Sequence, residues 1–132
     1  MTEPALSLDE LLAACGEPPE VRAATVAYAL VTAYDHDVAE LEIGRYLQLV
    51  HGDDASAGPA FAALAKAMQA DLDAATRWAT RSLAQFRHDD TLVQAAAEAA
   101  RVAAVADAEL APREEVAMKI VADALGLIAA SI

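Results

Sequence analysis

Apolar residues recur three and four positions apart along most of the chain, the spacing of helices with one buried face. No stretch alternates apolar and polar residues convincingly enough to read as a strand. Ser7 and Glu10 form a capping box ahead of Leu8, Leu11 and Leu12, so a short first helix is predicted to run to about Ala14. Gly16 is a natural C′ stop for it, and Pro18-Pro19 cannot continue it. A second helix is expected from Glu20 to Tyr34, apolar nearly all round and therefore central. A third starts near Glu40, with Leu41, Tyr46, Leu47 and Val50 on or near one face, and "HGDDASAGP" ends it. Pro59 suits the first position of the fourth, which carries Phe61, Leu64, Ala65 and Met68. Asp71 can cap a fifth, with Leu72, Ala75, Trp78 and Phe86 as core candidates. Asp89 or Asp90 caps a sixth that reaches Ala106, and a seventh runs from Pro112 to Gly126. The expectation is an all-α, single-domain bundle of about seven helices covering residues 1–132.

Two interruptions in this pattern match. With Asp35 set on Asp107, an offset of 72, Asp37 falls on Glu109, Val38 on Leu110 and Glu42 on Glu114. Each copy follows a small-residue helix and precedes an amphipathic one, so the repeat is a helical hairpin written D-x-[DE]-[VL]-x-x-x-E. Asp35 and Asp107 can bond free backbone N–H groups in the turn. With Pro112 at the first helical position, Glu114 stands at the third, and by the same register so does Glu42. A glutamate there complements the positive helix end and can reach back to the cap. The same acids can instead converge on a hard divalent cation, which prefers oxygen ligands. The spacing is not that of an EF-hand, since positions 5 and 12 counted from Asp35 are Ala39 and Tyr46.

Composition narrows the function classes. The chain carries 57% hydrophobic but only 5% aromatic residues, so its core must come from closely approaching helices with small side chains. A net charge of −12 repels phosphate backbones and anionic headgroups, and favours cations or basic partners over nucleic acid. Cys15 is the single cysteine, which excludes an intramolecular disulfide and fits a reducing cytoplasm. The first twenty residues lack the pattern of a signal peptide, and no apolar run approaches the ~18–20 residues of a membrane span. A soluble cytoplasmic protein without direct membrane insertion is expected.

The stretch "VAAVADAELAPREEVAMKIVADALGL", residues 102–127, resembles the repeat of the TerB-like family, the tellurite-resistance protein B group. "ALVTAYDHDVAELEIGRYLQLV", residues 29–50, looks like the first copy. The family pattern is A-D-G-E-[LV]-x-x-x-E between two helices, duplicated in an all-helical domain. Its acidic positions fall on Asp35, Asp37 and Glu42, then on Asp107, Glu109 and Glu114. The family glycine is His36 in one copy and Ala108 in the other, which removes the easy left-handed turn that glycine allows. The resemblance implies a small cytoplasmic stress-response module working beside a protein partner, itself membrane-associated in some cases. It also implies divalent-metal binding at the six acids, with Ca²⁺, Mg²⁺ or Zn²⁺ as candidates.

Other reactive residues add little. His36 could supply a nitrogen ligand and bias the first turn toward Zn²⁺. His51 and His88 stand at helix ends. Cys15 is expected near a helix C-terminus, where a thiolate is disfavoured. No nucleophile–base arrangement, phosphate-binding glycine loop or closely spaced zinc pair occurs, so no catalytic residue is assigned and an enzyme is not expected. Lys66, Arg77, Arg81 and Arg87 concentrate mid-chain, either as a solvated face or as a weakly basic patch, with Trp78 as core. An alanine-rich face can pack a neighbouring helix or a second copy, which leaves a homo-oligomer open.

Overall fold

The computed structural model describes residues 7–16, 18–34, 40–50, 57–105 and 112–127, with the side chains of 40–42, 105 and 112–114 outside that description. Among the described residues there are seven α-helices and no strand: α1 Leu8–Cys15, α2 Pro19–Tyr34, α3 Glu40–Val50, α4 Ala57–Ala70, α5 Leu72–Ala84, α6 Asp90–Val105 and α7 Pro112–Leu125. The all-α bundle read from the periodicity is what forms. No helix among them is long and apolar enough to cross a membrane.

Local chemistry sets several of the helix ends. Glu10 N donates to Ser7 Oγ at 3.1 Å, and Ser7 N donates back to the Glu10 carboxylate at 3.4 Å, closing the capping box of α1. Asp71 accepts from Ala74 N at 3.1 Å and starts α5. Asp89, not Asp90, caps α6, accepting from Thr91 N at 3.0 Å and Leu92 N at 3.4 Å. At the end of α7, Gly126 takes φ 76°, while Leu127 N bonds Ala122 O at 2.8 Å and Gly126 N bonds Asp123 O at 3.2 Å. That pair of bonds is a Schellman stop, and its left-handed residue is why glycine stands there.

Three ends differ from expectation. Helix α4 begins at Ala57, which puts Pro59 at the third position rather than the first. The first turn has no intrahelical use for its N–H groups, so proline is tolerated at either place. Helix α2 includes Pro19, which takes the first position. Gly16 ends α1 in an extended conformation, φ 161° and ψ 152°, rather than a left-handed one. Its glycine answers crowding instead: a Cβ would lie 2.8 Å from Val21 Cγ1.

Helix α2 is the axis of the bundle. Every residue from Ala23 to Ala33 is buried, as its all-round apolar character requires. It packs most extensively on α6, and also on α1, α3, α4, α5 and α7. The facing side of α6 is nearly all alanine, with Ala96, Ala99, Ala100, Ala103 and Ala104 buried, so the two backbones approach closely. Bulk enters at the junction of α2, α3 and α4. There Tyr28 meets Tyr46 and Phe61 edge-on, with ring centroids 5.6 and 5.5 Å away, and Tyr46 stacks on Phe61 at 4.2 Å.

Candidate functional site

Four of the six acids singled out above, Asp35, Asp37, Asp107 and Glu109, lie outside the described residues, as do His36 and His51. Glu42 and Glu114 stand on α3 and α7, and only their backbone positions are described. Those positions are informative. Helix α3 opens at Glu40 and α7 at Pro112, an offset of 72, so each glutamate is third in its helix. The helices leading into the two turns, α2 and α6, are 16 residues each, and they are the pair that packs most extensively. Among the described residues no three His, Cys, Asp or Glu side chains gather as a metal-holding group.

The helices that flank residues 35–39 are better defined. Tyr34, the last residue of α2, shares a 2.7 Å hydrogen bond with Thr76 on α5, and Thr76 donates its hydroxyl hydrogen to Leu72 O at 2.8 Å. Tyr34 is therefore the donor in the first of these bonds. On the far side of the turn, one helical turn after Glu42, Tyr46 OH lies 2.6 Å from Thr25 Oγ1, with both residues fully buried. At the offset of 72 the corresponding residues of the second hairpin are Ala106 for Tyr34, Met118 for Tyr46 and Ala97 for Thr25. The polar fasteners thus belong to the first hairpin and have no equivalents by sequence in the second.

Cys15 joins the buried cluster. Its thiol donates to Leu11 O at 3.4 Å. Burial pushes it from 9.0 to about 11, an effect that the neighbouring Tyr46 hydroxyl partly offsets. Burial likewise raises Tyr46 far above the ordinary phenol value, against the lowering effect of Thr25. Both groups are held neutral, which suits packing and not nucleophilic attack. Sequence reasoning had no signal for the Thr25–Tyr46 bond, since the partners are 21 residues apart.

The mid-chain cations Lys66, Arg77, Arg81 and Arg87 are all exposed, whereas Trp78 is buried and donates Nε1–H to Asp9 at 2.8 Å. That bond ties α5 to α1 and places the tryptophan in the core, as expected. A recess of ≈ 230 Å³ opens between the start of α2, the end of α3 and the middle of α6. Val21, Ala24, Leu49, Val50 and Ala95 line it, together with Glu20 and Glu98. Nothing in the sequence pattern had pointed to it.

No protein-family model, curated protein or solved structure matches the chain.

Proposed function

We propose that this chain is a non-enzymatic binding module of the TerB-like type, serving a cytoplasmic stress response of the tellurite-resistance kind, and that its two acidic turns hold divalent cations. Asp35, Asp37 and Glu42 form one ligand set, and Asp107, Glu109 and Glu114 the other. Carboxylate oxygens favour Ca²⁺ or Mg²⁺, and His36 would draw the first set toward Zn²⁺. The observation that supports this reading is the shared register. Glu42 and Glu114 each stand third in a helix, 72 residues apart, after helices of equal length. The natural use of such a module is to present its turns to a protein partner.

The same register favours a second reading, in which the glutamates only cap α3 and α7. Calorimetric titration with Ca²⁺, Mg²⁺, Mn²⁺ and Zn²⁺ separates the two. The cation reading expects saturable heat for at least one ion, lost in the Asp35→Asn/Asp107→Asn double variant. The capping reading expects no such heat, and a loss of ~0.5–2 kcal/mol of stability in Glu42→Gln and in Glu114→Gln.

A further inference from the structure

We propose that the recess between α2, α3 and α6 receives a lysine side chain presented by a basic partner protein. Size comes first. At ≈ 230 Å³ the recess falls below the ~300–1,000 Å³ of small-molecule pockets, yet one long side chain fits. Its walls are the half-buried Val21, Leu49, Val50 and Ala95 and the buried Ala24, an apolar sleeve suited to a four-carbon stem.

Charge decides the head group. Glu20 and Glu98 line the recess and are exposed, and α3 ends there with the negative pole of its dipole. Against these stand the positive pole of α2 and the guanidinium of Arg101, which is ion-paired with Glu98. The balance is about one unit of negative charge, within a chain whose net −12 steers cations inward. Glu98 already holds a guanidinium, so the carboxylate left for a newcomer is Glu20. A recess this small and mostly apolar suits the four-carbon stem and compact ammonium of lysine better than the broader planar guanidinium of arginine. The recess shares no residue with the two acidic turns, so this site stands or falls separately from the cation reading.

The test is an amide-shift NMR titration of the ¹⁵N-labelled full chain, with EDTA present, using N-acetyl-lysine methylamide as probe. Its norleucine analogue, which keeps the stem and lacks the amine, and its arginine analogue are run alongside. The lysine probe is expected to give saturable shifts at Val21, Ala24, Leu49, Val50 and Ala95 in the millimolar range, as its atom count allows. Norleucine should bind more weakly. Glu20→Gln should weaken the lysine probe about 2–5-fold, and Ala95→Leu, which fills the recess, should abolish saturation while the chain stays folded. Equal binding of norleucine, tighter binding of arginine, or unchanged lysine binding in Glu20→Gln would overturn the proposal. Protein-concentration-dependent shifts at the same amides without probe would also overturn it, because the occupant would then be Lys66 or Lys119 of a second copy.

Discussion

The Thr25–Tyr46 hydrogen bond offers the sharpest test of how the first hairpin is fastened. Both side chains are fully buried, and the oxygens are 2.6 Å apart. Tyr46→Phe keeps the ring that stacks on Phe61 and removes only the hydroxyl. The loss comprises a hydrogen bond of about 1 kcal/mol net and the stranding of Thr25 Oγ1 away from water, at about another 1–2 kcal/mol. Thr25 can recover part of this by turning back to the carbonyl one helical turn earlier, which sets the lower end near ~1 kcal/mol. Thr25→Val strands the tyrosine hydroxyl instead, beside the Cys15 thiol, a weak partner, and is expected to cost a similar amount. The double variant strands neither group. It should therefore cost far less than the two single changes added together, with a coupling of about 1–2 kcal/mol. Urea unfolding followed by circular dichroism measures all four chains, and the midpoints of Tyr46→Phe and Thr25→Val should drop at unchanged slope. Additivity within ~0.3–0.5 kcal/mol would refute the reasoning, since independent sites behave that way.

Other consequences are open to simple measurements. The native chain keeps the Cys15 proton up to about pH 11, while the unfolded chain releases it near the ordinary 9.0. Stability should accordingly hold below pH ~9 and fall as pH rises toward 11, with a shallower fall in Cys15→Ala when urea midpoints are compared across that window. The same thiol should resist aromatic disulfide reagents at neutral pH until the chain is unfolded by denaturant. Gly16→Ala should destabilise by about 1–3 kcal/mol, because its Cβ would meet Val21 Cγ1 at 2.8 Å, and Val21→Ala in the same chain should restore most of that loss. Asp9→Ala should shift the Trp78 emission and cost about 1 kcal/mol by releasing α5 from α1, as read by fluorescence and thermal melting.

How far the sequence speaks depends on the reach of each interaction. Ser7 with Glu10, Asp71, Pro112 and Gly126 act within one helical turn, so their roles could be read from spacing alone. The burial of α2 was legible for the same reason, since a helix apolar on every face has nowhere else to go. Gly16 shows the limit. A glycine after a helix suggests a left-handed stop, but here its purpose is room for Val21, five residues on. Pro59 shows another, because a first-turn proline marks a helix start only to within a residue or two. The Thr25–Tyr46 bond and the recess walled by α2, α3 and α6 depend on how helices pack, for which a threonine within an alanine-rich run gives no cue. The acidic repeat was visible as spacing. What spacing reaches is the placement of Glu42 and Glu114 at equal depth in their helices.

Paramagnetic broadening by Mn²⁺ in amide spectra of the ¹⁵N-labelled chain puts the paired-turn claim to its most direct test. A pair of like-built chelating turns predicts that substoichiometric Mn²⁺ first erases the amides of residues 35–42 and 107–114 together, and that Asp35→Asn/Asp107→Asn protects them. Broadening that tracks exposed acids elsewhere, such as Asp73, Asp90 and Asp123, or that spares both turns, would contradict it.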